Sequence, residues 1–187
     1  MILAISGSLR RSSVNSAALR AAATAAAQDG MLVSIEDSVR LLPPFDPDLE
    51  AAPPDAVLRF RSASRNASAV LLAVPEYAFG IPGSFKNVLD WTVGDGSLYQ
   101  KPVALLSVAT AGRVAYVIQA LELVLRALDA DVARYSVPIA AGDRDPSGEI
   151  ADPRLVEALH AVVAELVVRV GQSPRAGGPA QQSLSPR

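Results

Sequence analysis

The sequence predicts an α/β chain in which five short strands alternate with helices and form one parallel sheet covered on both faces. Short apolar runs without strict alternation, at Ile2–Ser6, Ala69–Val74 and Pro102–Ala109, suit strands buried on both sides. Longer segments with helical spacing separate the strands. The first, third and fourth strands each end in a loop whose chemistry suits contact rather than simple connection. In a sheet of order 2-1-3-4-5 those three strands are neighbours. Such sheets bind ligands outside the carboxyl ends of their strands, where strand order reverses.

Ile2–Ser6 (ILAIS) is the first strand and stops at Gly7. The loop after it offers Ser8, Arg10, Arg11, Ser12, Ser13, Asn15 and Ser16 to something negative, and the dipole and free N–H groups of the next helix point the same way. That helix, Val14–Gln28, is rich in alanine, so it can pack closely on a sheet, and Gly30 ends it. Leu32–Glu36 is a weaker second strand. Leu41–Pro54 is too proline-dense for a central strand or helix interior and reads as an ordered surface loop, either a connector or the border of a site. Asp55 is placed to cap a helix running to about Ala67.

Ala69–Val74 is the strongest strand signal and stops at Pro75. PEYAFGIPGS follows, and then a helix at about Ser84–Val93 with Phe85, Val88 and Leu89 inward, broken at Gly94 and Gly96. Pro102–Ala109 ends in the turn Thr110-Ala111-Gly112-Arg113. A helix covers Val114–Leu128, a last strand Val132–Val137 and a polar loop Gly142–Ala151. Asp152-Pro153 supplies a cap and a first-turn proline for the final helix, on which Leu155, Leu159, Val162, Leu166 and Val170 recur at helical spacing. From Gly171 the composition falls to Gly, Pro, Ser, Gln and Ala. One domain is therefore expected over 1–170, with a disordered tail over 171–187.

Half of the residues are hydrophobic and 19% are charged, which excludes a disordered chain as a whole. A formal charge of -2 leaves no basic footprint, so nucleic acid is not an expected partner. The absence of cysteine excludes disulfides, thiol catalysis and thiolate metal sites, and without clustered His and Cys no metal is expected. The opening apolar run is too short for a signal peptide and no run approaches a membrane span, so a cytoplasmic protein is expected.

The first loop lacks the Gly-Lys-Ser/Thr ending of a Walker motif and the spaced glycines of a dinucleotide fingerprint. It remains a cradle of side-chain donors and backbone amides for phosphate, and a solvated turn that caps a helix explains it equally well. Glu76 suits either acid/base work or a role in loop shape and subunit contact. Tyr77 and Phe79 are loop aromatics suited to a ligand or a subunit mate. Asp90-Trp91 reads as a packed tryptophan beside a solvated carboxylate, and His160 as a surface histidine.

GSLRRSSVN at Gly7–Asn15, LPPFDPDLE at Leu42–Glu50 and PEYAFGIPGSFKNVLDW at Pro75–Trp91 together resemble the NADPH-dependent FMN reductase family, over about Met1–Leu128. The resemblance implies a flavodoxin-like three-layer sandwich of order 2-1-3-4-5, noncovalent FMN, NADPH or NADH as hydride donor, and a homodimer or homotetramer. It places Ser8, Arg10, Asn15 and Ser16, with Ser13, around the FMN phosphate. Pro75, Glu76, Tyr77 and Ala78 fall along the isoalloxazine and ribityl chain, and Thr110, Gly112 and Arg113 in a third flavin loop. Two departures stand out. Ala78 occupies a position where the family most often has asparagine, and Ala115-Tyr116 replace the usual glycine pair after Gly112.

The implied activity passes hydride from NAD(P)H to FMN and then to a quinone, azo compound, chromate or free flavin, with no side chain assigned acid/base work. The alternatives are a flavodoxin-type electron carrier, a reductase supplying reduced FMN to a partner monooxygenase, and a degenerate member with a regulatory role. SGSLRRSS and the charge of -2 argue against the carrier, which calls for a Thr-Gly loop and an acidic surface.

Overall fold

The structure is a computed structural model and describes residues 1–110 and 114–172. The apolar runs become strands β1 (Ile2–Ser6), β2 (Val33–Glu36), β3 (Ala69–Ala73), β4 (Pro102–Ser107) and β5 (Asp131–Ser136). The intervening helices are α1 (Val14–Gln28), α2 (Asp55–Asn66), α3 (Gly83–Val93), α4 (Ala115–Ala127) and α5 (Pro153–Gln172). All pairings are parallel, in the order β2-β1-β3-β4-β5. This is the flavodoxin-like order, and it reverses between β1 and β3.

Side-chain alternation along each strand divides the core into two layers. Ile2 and Ala4 face α1 and α5, among Ala17, Ala18, Leu19, Leu159 and Val163. Leu3 and Ile5 face α2, α3 and α4, among Val57, Phe60, Phe85, Trp91 and Val117. Alanines at Ala17, Ala18, Ala22 and Ala26 are fully buried, so the backbone of α1 lies close on the sheet.

The proline-dense loop is an anchored connector. Asn87 donates to Pro43 O at 2.9 Å and accepts Phe45 N–H at 2.7 Å. Trp91 Nε1 donates to Pro43 O at 2.9 Å, and the Phe45 ring meets the Trp91 ring edge-on at 5.0 Å. Trp91 is packed, and Asp90 pairs with Lys86 at 2.5 Å. Beneath the loop, Arg61 is buried and bonded to both Glu50 oxygens. Nearby, Lys101 Nζ donates to Ser64 O at the end of α2. Burial lowers this amine to about 8, with the Asp95 charge acting in the opposite direction.

Three expectations need correction. Asp55 does not cap α2: Pro54 holds the N-cap position, and Asp55 is the first helical residue, where its charge still favours the dipole. His160 is not a free surface residue. It is half-buried, with Nε2 2.8 Å from Asp29 Oδ2 but without hydrogen-bond alignment. Helix α5 continues through Gly171 to Gln172, because the helical ladder outlasts the apolar stripe. The rest of the expected tail lies outside the described residues, as do Gly112 and Arg113. Among the described residues no helix is long and apolar enough to cross a membrane, and no cluster of three metal-ligating side chains occurs.

Candidate functional site

The loops after β1 and β3 meet because Gly7 has no side chain. Its N–H donates to Ala73 O at 2.9 Å, and a Cβ there would lie 2.6 Å from Val74 Cγ1. From this contact the first loop turns back toward α1. Ser6 Oγ accepts from Ser8 N–H at 3.2 Å and from the Ser16 hydroxyl at 2.9 Å. Ser8 Oγ accepts from Arg10 N–H at 3.3 Å, and Arg10 Nε donates to Ser12 Oγ at 3.1 Å. Ser13 and Asn15 are buried polar residues, each 6% exposed.

Ser13 occupies the N-cap of α1 without using its side chain as a cap, and the first turn carries no acidic residue. The polar-cap explanation of this loop therefore fails in its simplest form. The N-terminal N–H groups and the positive dipole end are left for another acceptor, beside Arg10 and Arg11.

Two depressions flank the loop, with Leu9 and Arg10 as the wall between them. One is lined by Ser6, Ser8, Ser16, Arg11, Arg20 and Arg40 among others. The other, a cleft of about 480 Å³, is lined by Gly7, Tyr77, Ala78, Ile81, Pro82 and Ser84 with Leu9 and Arg10. Ser8, Arg10 and Ser16 thus share one edge, while Arg10, Tyr77 and Ala78 share the other. Thr110 is exposed at the end of the fourth strand's loop.

The loop after β3 is a tight hairpin. Tyr77 N–H donates to Gly80 O at 3.1 Å and Gly80 N–H to Tyr77 O at 2.9 Å. Between them Ala78 and Phe79 both take positive φ, 47° and 59°. Left-handed backbone at both central positions is the signature of a primed hairpin turn, which asparagine and glycine enter at low cost. The alanine at 78 therefore changes more than a polar contact, because it carries backbone strain that asparagine would reduce. Ala78→Asn is expected to raise stability by about 0.5–1 kcal/mol, measured by urea unfolding. No gain would mean the turn relaxes around alanine.

Glu76 is engaged structurally. Its Oε2 accepts from Tyr116 N–H and Val117 N–H, each at 3.1 Å, so it caps the start of α4 from another loop. This fits the loop-shaping alternative and leaves acid/base work unsupported. Phe79 meets Tyr116 edge-on at 5.0 Å, and with Tyr77 these rings form an exposed aromatic rim. Three contributors escaped the sequence. Ser6 anchors the loop from inside a strand, Arg40 Nη2 donates to Leu9 O at 3.1 Å, and Arg144 Nη1 donates to Ser12 O at 3.1 Å. Only Ser6, a lone hydroxyl ending an apolar strand beside Gly7, left a local signal.

The family model for NADPH-dependent FMN reductase matches residues 1–143. An NAD(P)H-dependent FMN reductase of Pseudomonas aeruginosa is 41% identical over 115 residues, 60% of each chain. A quinone reductase of Pseudomonas putida is 36% identical over 112 residues, 58% of this chain and 59% of that protein. Those matches span about three-fifths of the length of these curated relatives. Among solved structures, the flavoenzyme NAD(P)H:(acceptor) oxidoreductase FerB of Paracoccus denitrificans superposes with a TM-score of 0.72 at 26% identity, covering 92% of this chain and 97% of that one. With a reversal-point cleft, an uncapped α1 N-terminus and a family match over most of its length, this chain belongs to the NADPH-dependent FMN reductase family.

Proposed function

We propose that the protein is an FMN-dependent NAD(P)H oxidoreductase that reduces a small-molecule acceptor such as a quinone, azo compound, chromate or free flavin. The observation that carries this reading is the N-terminus of α1, uncapped by Ser13, free of acidic side chains and flanked by Arg10 and Arg11. That donor set fits a phosphate monoester. Bound there, FMN would supply hydride chemistry between NADPH or NADH and the acceptor.

The chain's own residues hold and orient. Ser8, Arg10, Ser13, Asn15 and Ser16 take the phosphate end, and Ser16 exchanges its bond to Ser6 to do so. Pro75, the backbone of Glu76, Tyr77 and Ala78 line the ring side, and Thr110, Gly112 and Arg113 are the third-loop residues that the family resemblance assigns to the flavin. Glu76, by tying the hairpin to the start of α4, holds the ring-side loop in place. The protein works in the cytoplasm as a homodimer or homotetramer. A partner monooxygenase that consumes reduced FMN is one destination for the electrons.

Anaerobic stopped-flow mixing of the FMN-loaded protein with NADPH or NADH tests the reading. Rapid loss of the oxidised flavin absorbance, and its return on adding a quinone, is the expected result. Failure to bind FMN after reconstitution would sink the reading. A bound flavin that neither nucleotide reduces would point to an electron carrier instead.

A further inference from the structure

Residues 144–150 form a short hairpin between β5 and α5. Arg144 and Ile150 bridge in antiparallel fashion, Asp145 N–H donates to Glu149 O at 2.9 Å, and Gly148 N–H donates to Asp145 O at 2.9 Å. The Asp145 carboxylate accepts from the Ser147 hydroxyl at 2.6 Å and from Glu149 N–H at 3.0 Å. These bonds, the Ser147 hydroxyl first, hold its carboxyl below the usual range. Gly148 closes the turn at a φ of 89°, and Ile150 is sunk in the core between α1 and α5. The hairpin is therefore a stiff platform rather than a free loop.

Its two ends grip the chain on either side of the α1 N-terminus. Arg144 Nη1 donates to Ser12 O, one residue before the N-cap. Glu149 receives Arg20, in the second turn of α1, through Nε at 3.0 Å and Nη2 at 2.6 Å. The Arg20–Glu149 pair cancels its own charge, whereas Arg144 adds a cation to a loop that already carries Arg10 and Arg11. Those like charges and the helix dipole repel one another unless an anion sits among them. Ser6 and Arg40 hold the start of the loop, and the Arg144 tether on Ser12 holds the end that leads into the helix.

We propose that this hairpin is a clasp on the first loop, with Arg144 as a positioning residue that sets the affinity for a phosphorylated ligand by holding Ser12 O. The proposal rests on the flavin-phosphate reading above. Its prediction is selective: losing the clasp weakens binding of the phosphate end and leaves the ring end unaffected.

FMN and riboflavin share the ring and ribityl chain and differ in the phosphate, so flavin-fluorescence titrations of wild type, Arg144→Ala and Arg144→Lys with both provide the test. Arg144→Ala is expected to bind FMN about tenfold more weakly, the scale of one lost charge-assisted hydrogen bond. Riboflavin affinity and the unfolding temperature of the ligand-free protein are expected to stay unchanged, and Arg144→Lys to recover most of the loss. Equal weakening toward both flavins, a drop in unfolding temperature that accounts for the loss, or unchanged FMN affinity would each overturn the clasp. If wild type binds neither flavin, the flavin reading itself fails. The clasp is then judged with inorganic phosphate: smaller thermal protection by phosphate in Arg144→Ala supports it, and equal protection overturns it.

Discussion

Arg61→Ala is expected to lose about 3 kcal/mol of unfolding stability, the low end of the cost of breaking a buried ion pair. The Arg61 side chain is 6% exposed and serves several acceptors at once. Nε donates to Trp91 O at 2.8 Å, Nη2 bonds both Glu50 oxygens at 2.9 Å, and Asp95 lies 4.0 Å away. The guanidinium also stacks 5.4 Å from the Trp91 ring centre. Alanine would leave the buried Trp91 carbonyl and the Glu50 carboxylate without their cation, and Asp95 with one cation fewer. The low end applies because the Glu50 side chain is 31% exposed and can regain water, and Asp95 keeps Arg65 at 3.1 Å. Urea unfolding measures the loss. The network lies at the C-terminal end of α3, away from the first loop, so FMN affinity is expected to hold. A loss below about 1 kcal/mol would show that the proline loop is not anchored through Arg61.

Arg10→Ala is expected to weaken FMN binding by about 1.5–3 kcal/mol, roughly 10- to 150-fold. Arg10 is exposed on the wall between the two depressions, and its internal bond, to Ser12 Oγ, is one a bound phosphate can replace. Because the side chain supports no buried structure, stability should change little, so affinity and stability separate cleanly. The contrast with Arg61 is instructive: one arginine is buried and structural, the other exposed and available. Titration with FMN and riboflavin reads the effect, which should be confined to FMN. Unchanged FMN affinity would place the phosphate elsewhere.

Strands and helices were legible because their causes are local. β1, β3 and β4 follow from unbroken apolar runs, α1 from its alanines and Gly30, and α5 from Asp152-Pro153 and a recurring leucine and valine stripe. The strand order came from the family resemblance, and it makes the three strands with contact-like loops neighbours. The Asp55 cap was misplaced because a preceding proline fills the same position with suitable backbone angles and no side-chain bond. The polar loop at 142–151 disclosed nothing of its hairpin, whose importance lies in what it touches.

By itself, then, the sequence determined the α/β architecture and the family, and left Gly7–Ser16 open between an anion cradle and a polar helix cap. Each depends on residues within a few positions of one another, or on a motif read whole. Tertiary structure alone decided that Ser13 leaves α1 uncapped, that Glu76 caps α4 across 40 residues, that Ala78 sits in left-handed backbone, and that Arg144 reaches Ser12 across 132 residues. Periodicity specifies which face of an element is apolar. It does not specify which polar groups on opposite edges of a sheet come within hydrogen-bond distance once those faces are buried.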